Sequence, residues 1–194
     1  FAPGAPDTVF VADDTGGRMG AGATLVGDDV GATGVGPQWL GSIGSSDVDV
    51  TVAQAVALGA RVVQPAVDMP NVGRIAVLAD PQGGLFGVYK PAHEPSATEA
   101  PRGAYSWHEF AASELESAFS FYQALFGWQV LDRMSMGPTE VYLLFGRNGK
   151  QEGGMYRIAA GKSQSVGWLA YVSHQSADEA ARLAVAAGGQ IANG

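Results

Sequence analysis

Three tryptophans each stand 20 residues ahead of a glycine: Trp39 and Gly59, Trp107 and Gly127, Trp168 and Gly188. A recurrence at fixed spacing marks an internal structural repeat, and a repeat limits architecture more than any single motif does. Each interval reads as a short alternating strand from the Trp, a helix opened by a capping residue, and a Gly that stops the helix. Trp107-His108-Glu109-Phe110-Ala111 alternates at period two. Ser113 and Glu116 fit an S-x-x-E capping box, which would satisfy amides left open at a helix start. Leu115, Phe119, Tyr122 and Phe126 then form one apolar helical face that ends at Gly127. Ser176-x-x-Glu179, and more weakly Ser46-x-x-Asp49, predict the same start in the other two intervals.

Further strand-like runs follow the glycines. They are 61–64, 74–79 and 85–89 in one interval, and 128–133, 141–145 and 154–158 in the next, so the unit is βαβββ. Between the last two runs, Asn148-Gly149 predicts a type I′ hairpin. The repeats start 68 and then 61 residues apart, so a unit opening at Trp168 has no room for its closing strands before Gly194. Residues 8–11 and 18–25, joined by the turn-rich 13–17, read as the closing hairpin of an earlier unit. Both ends are therefore expected to be truncated. The aperiodic, Pro-rich 91–103 reads as a linker, which divides the chain into a domain at 1–90 and another at 104–194. A homodimer would let the incomplete domains of two copies complete each other.

Composition narrows the function. Eleven Lys and Arg against 19 Asp and Glu give a net charge of −8, with no basic cluster, which argues against a nucleic-acid partner. The absence of Cys removes disulfides, thiolate nucleophiles and Cys-based zinc sites. No apolar run approaches the roughly 20 residues of a membrane span, and the start does not read as a signal peptide. The expectation is a cytoplasmic protein without a membrane partner. Phosphate-binding loops and the G-x-S-x-G elbow are also missing, which leaves nucleotide and hydrolase chemistry without support.

Two stretches carry a family resemblance. Asp80-Pro81-Gln82-Gly83-Gly84-Leu85-Phe86-Gly87 is similar to a D-P-x-G-x-x-x-E signature, and residues 118–128, AFSFYQALFGW, are similar to an A-x-x-F-Y-x-x-x-F-G-W helix. With the βαβββ repeat, these resemble the vicinal oxygen chelate superfamily, which groups glyoxalase I, bleomycin-resistance proteins and extradiol dioxygenases. The nearest subgroup is the bacterial glyoxalase-like proteins built of four units. The resemblance implies an α+β fold of paired βαβββ units forming two cup-shaped, glyoxalase-like domains that hold a small organic molecule. Metal-dependent members place His, Gln or Glu on the opening strands and a Glu at the end of the D-P-x-G motif. Here those places fall on Trp107, with Trp39 and Trp168 at or next to the matching ones, and on Gly87. The expectation is therefore no cofactor. A divalent metal would have to lean on His108, His174 and carboxylates such as Glu109 or Glu140, with His93 in the linker, and His108 and Glu109 point to opposite sheet faces.

Two readings stand side by side for each candidate. Trp39, Trp107 and Trp168 either fill the core between sheet and helix or line the cup and stack on a flat or cationic ligand. Glu109, on the strand face of Trp107, is either a carboxylate held by Arg133 or Arg157, or a ligand-pairing group able to act as a general base. The functional expectation is a glyoxalase- and bleomycin-resistance-like protein binding a small organic molecule at Trp39, Trp107, Glu109 and Trp168. The alternative is a lyase, isomerase or dioxygenase of the same superfamily, with Glu109 as its catalytic group or with a metal.

Overall fold

Alternating apolar runs flanking amphipathic helices produce two complete βαβββ units in the computed structural model, which describes residues 8–12, 19–24, 39–93 and 105–192. The first unit comprises β3 (Ser42–Gly44), α1 (Val48–Ala57), β4 (Arg61–Met69), β5 (Gly73–Ala79) and β6 (Leu85–Pro91). The second comprises β7 (Tyr105–Ala112), α2 (Leu115–Phe126), β8 (Gln129–Ser135), β9 (Val141–Arg147) and β10 (Lys150–Arg157). Strand order is β3-β6-β5-β4 in one sheet and β7-β10-β9-β8 in the other, the same permutation twice. In both, the opening and closing strands pair in parallel, and the strands between them are antiparallel. The fold class is α+β, as expected from the repeat.

Two partial units accompany them. β1 (Thr8–Ala12) and β2 (Met19–Thr24) form the expected antiparallel hairpin. β11 (Gly167–Val172) pairs antiparallel with the outer edge of β7 and leads into α3 (Ala177–Ala186), so the second sheet has five strands. The turn expected at 13–17, residues 94–103 of the linker and residue 104 lie outside the described residues. Among those described, no helix is long and apolar enough to cross a membrane.

Local chemistry accounts for the boundaries. Gly127 ends α2 at φ 70°, a left-handed position that glycine adopts without strain. Asn148 and Gly149 have φ 51° and 74°, as a type I′ turn requires. Ser176 caps α3, its Oγ accepting from the Glu179 amide at 3.3 Å. The other two expected caps need correction. In α1 the cap is Asp47, which accepts from the Val50 amide at 3.1 Å, while Asp49 pairs with Arg74 at 2.8 Å. In α2 the flanking residue Glu114 makes no side-chain cap, and Glu116 pairs with Arg133 at 2.6 Å. Gln82 of the first unit instead holds the two residues just before the helix. Its Oε1 receives the Ser113 amide at 2.8 Å and the Glu114 amide at 3.1 Å.

The same Asp80–Gly84 turn inserts between the units. Their buried residues form one cluster, with Val48, Leu78, Phe86 and Val88 packed with Phe110, Tyr122, Leu143 and Met155. A Cβ on Gly84 would lie 2.7 Å from the Phe110 ring, so the close approach of β7 to this turn requires glycine. Asp80 is 5% exposed, and its Oδ1 accepts from the Gln82 and Gly84 amides at 2.8 and 2.9 Å. Its Oδ2 accepts from the fully buried Tyr122 hydroxyl at 2.8 Å, and that hydroxyl accepts from Trp168 Nε1 at 3.0 Å. Burial pushes both the Asp80 carboxyl and the Tyr122 phenol upward.

Asp80→Ala would leave two amides and one hydroxyl without their acceptor, at about 1–3 kcal/mol for each buried orphan. Urea unfolding should show a loss of about 3 kcal/mol or more. Tyr122→Phe, which removes a single hydroxyl and keeps the ring, should cost about half as much. Equal losses in the two variants would contradict this account of the turn.

Candidate functional site

Strand alternation gives the five-stranded sheet two unlike faces. Phe110 of β7, Leu143 and Phe145 of β9 and Met155 of β10 are buried on the side of α2. Trp107 and Glu109, on the opposite face of β7, are half-buried. Register carries this face across the sheet: Leu169 pairs with Glu109, Tyr171 with Trp107, Gly154 with Glu109, and Tyr142 with Tyr156.

A connected hydrogen-bond chain occupies the face. Trp107 Nε1 donates to the Tyr142 hydroxyl at 2.8 Å, and that hydroxyl donates to Glu109 Oε1 at 2.6 Å. The Tyr171 hydroxyl donates to Glu109 Oε2, also at 2.6 Å. Both bonds to the carboxylate have the short length of charge-assisted contacts. Tyr156 stacks beside Tyr142 with ring centroids 6.4 Å apart and planes 14° from parallel, and its hydroxyl accepts from Gln164 at 2.6 Å. Desolvation, and then the hydrogen bond to Glu109, push the Tyr171 phenol up to about 12 and the Tyr142 phenol higher still. Both phenols therefore stay protonated near neutral pH and remain donors to the carboxylate.

The four residues expected at the site are distributed unequally. Trp107 and Glu109 meet through Tyr142. Trp168 lies on the other face of the sheet, 5.0 Å centroid to centroid from Phe110 and hydrogen-bonded to Tyr122. Trp39 precedes β3 and is 67% exposed. The equal Trp-to-Gly intervals conceal a difference of one residue. Trp107 stands seven residues before the helix-flanking Glu114, whereas Trp168 stands eight before Ser176, and an odd step turns a strand side chain to the opposite face. Counted from the caps, the partner of Glu109 is Tyr171, each five residues ahead. That count would have revealed Tyr171. Tyr142 and Tyr156 had no comparable signal, because their place depends on register between strands.

Neither arginine expected to hold Glu109 does so, since Arg133 pairs with Glu116 at 2.6 Å and Arg157 with Glu114 at 3.3 Å. His174 hydrogen-bonds through Nδ1 to the backbone of Ser176, beside the cap of α3. His108 is exposed on the other side of β7 from Glu109.

The donor set does not fit a divalent metal. Among the described residues no three His, Asp or Glu side chains converge. The closing-strand positions are also filled. Gly87 pairs with Ser42 as Gly154 pairs with Glu109, so the two glycines are equivalent between units. A Cβ on Gly87 would lie 2.5 Å from Ser42 Oγ, and one on Gly154 would run into the Tyr142 ring. A ligating side chain at either place would have to displace Ser42 Oγ or the Tyr142 ring.

Gly154→Ala should displace Tyr142 and break the chain from Trp107 to Glu109. What the methyl meets is the far end of a ring that can swing, so the stability cost should fall near the lower end of the usual 1–3 kcal/mol or so for overpacking. Tyr142→Phe removes the same hydroxyl and keeps the ring. Both variants should give a common change in tryptophan emission as Trp107 loses its acceptor. Unaltered emission in both would contradict the hydrogen-bond chain.

Comparison with known proteins agrees with this fold. Residues 18–89 match the family described as Glyoxalase-like domain. The chain is 29% identical over 199 residues to the protein named "Putative glyoxylase CFP32" of Mycobacterium tuberculosis (strain CDC 1551 / Oshkosh), covering 91% of this chain and 70% of that protein. It is 25% identical over 156 residues to the anthracycline biosynthesis protein DauV of Streptomyces sp. (strain C5), covering 80% of this chain and 56% of the relative. Two crystal structures share the fold at 16% identity. One is 2,2',3-trihydroxybiphenyl 1,2-dioxygenase from Sphingomonas wittichii strain RW1, with a TM-score of 0.51 over 77% of this chain and 59% of that one. The other is the Mn(II)-bound glyoxalase from Novosphingobium aromaticivorans, with a TM-score of 0.52 over 76% and 50%. The resemblance to glyoxalase-like proteins thus holds in sequence over residues 18–89 and in fold over most of the chain.

Proposed function

We propose that the chain binds a small organic molecule on the open face of the five-stranded sheet, against Trp107, Tyr142, Tyr171 and the Glu109 carboxylate. The observation that carries this reading is the hydrogen-bond chain itself. It fixes aromatic side chains and a half-buried charge on the sheet face opposite α2. A sheet face built only for solubility has no need of tyrosines and a tryptophan hydrogen-bonded into one array. Fixed rings offer contact area at low entropic cost, which is what a binding surface for a flat molecule requires. Trp168 is left out of this surface because its ring packs with Phe110 and Tyr122. Trp39 is left out because it stands before β3, on the other sheet, and is 67% exposed. The reading is metal-free, since the positions for ligating side chains are taken by Tyr142 and Ser42.

The Streptomyces relatives, named for anthracycline biosynthesis, supply a suitable probe. Daunorubicin, a flat anthracycline with an amino sugar, is titrated into the intact chain while its own fluorescence is followed. Trp107→Ala and Glu109→Ala should each weaken binding about tenfold or more, a loss of about 1.4 kcal/mol. Unchanged affinity in both variants, or no binding at all, contradicts the proposal. Turnover of a glutathione hemithioacetal or of a catechol by the same preparation would replace the binding reading with an enzymatic one centred on Glu109.

A further inference from the structure

We infer that the Glu109 face selects an organic ammonium ion, an inference that rests on the ligand-binding reading above and adds the charge and donor chemistry of the ligand. It follows from a count of donors. The three polar hydrogens of the array all point inward: that of Trp107 to Tyr142, and those of Tyr142 and Tyr171 to Glu109. None of the three is available to an incoming carboxylate, phosphate or carbonyl oxygen. The array offers a ligand the second lone pairs of the Glu109 oxygens and the aromatic rings around them. Lone pairs and π-faces beside a negative charge are complementary to N–H donors on a cation.

The charge of the array is not balanced from within. Among the described residues no Lys or Arg pairs with Glu109. Arg133, Arg157, Arg147, Arg74 and Arg182 are each engaged by other carboxylates, at 2.6–3.3 Å. Two phenols disperse the carboxylate charge without neutralising it, and the net charge of −8 adds a field of the same sign. A protonated amine on an aromatic or alkyl body would supply the missing charge while its body lies against the rings. A phosphorylated or carboxylated ligand would meet repulsion from Glu109 and find the hydrogens of Trp107, Tyr142 and Tyr171 already committed.

Three matched probes test the inference on the intact chain: 2-naphthylmethylammonium, the uncharged 2-naphthylmethanol, and 2-naphthoate, each titrated by calorimetry. The ammonium ion should bind about tenfold tighter than the alcohol, and the carboxylate should not bind measurably. Glu109→Gln should abolish the preference for the ammonium ion over the alcohol. The unmodified protein provides a second readout. Raising the salt concentration should weaken the ammonium complex and leave that of the alcohol unchanged. Equal affinity for ammonium and alcohol, or a preference that survives Glu109→Gln, overturns the charge selection while the binding face stands. Failure of all three probes to bind overturns both.

Discussion

The Tyr122 hydroxyl is the point at which three segments of the chain meet. It donates to Asp80 in the turn of the first unit and accepts from Trp168 on β11, while Tyr122 itself belongs to the helix of the second unit. A buried hydroxyl with both roles filled tolerates no slip of either partner, because a slip would strand a polar group in an apolar cluster. The consequence for the sheet is a fixed register. With Trp168 turned inward beside Phe110, the odd-numbered residues of β11 must turn outward, which brings Leu169 and Tyr171 alongside Glu109 and Trp107. The inner polar chain thus sets the geometry of the outer one.

On the outer face, one carboxylate lies between two phenols whose hydrogens it attracts. Desolvation and the carboxylate raise both phenols, so near neutral pH the arrangement stays donor to acceptor. It is a stable use of the place where the resemblance would put metal chemistry. In both units the closing strand carries glycine opposite the opening strand, and a neighbouring side chain occupies the space. The change is in the geometry as well as in the ligand types. A glutamate at Gly154 would have to displace the Tyr142 ring and break its bond to Glu109.

The fold was legible in the sequence because its signals are local. Helix faces such as Leu115, Phe119 and Tyr122, the Gly127 stop, and the Asn148-Gly149 turn each depend on a few neighbouring residues. Two of the three helix starts were misassigned, for instructive reasons. Asp47 and Ser46 differ by one residue, within the ambiguity of any capping pattern. The Ser113 and Glu114 amides just before α2 are held from another unit, by Gln82, which no local pattern can report. At the site, Glu109 and Trp107 were legible as neighbours on one strand face. Distance to a glycine aligns Trp168 with Trp107, but its facing is set by its distance to the helix cap. The tyrosines that hold Glu109 come from β9 and β11, and only strand pairing brings them there.

On this face the Glu109 carboxylate is held by two phenols, and among the described residues no three metal-ligating side chains converge, which is why we propose an organic cation rather than a divalent ion as its partner. The most direct measurement is a room-temperature EPR titration of the intact chain with Mn(II), in unmodified protein and in Glu109→Gln. The account predicts that the sharp signal of hydrated Mn(II) grows in proportion to added metal from the first addition, alike in both proteins. A stoichiometric suppression of that signal in the unmodified protein, lost in Glu109→Gln, would contradict it.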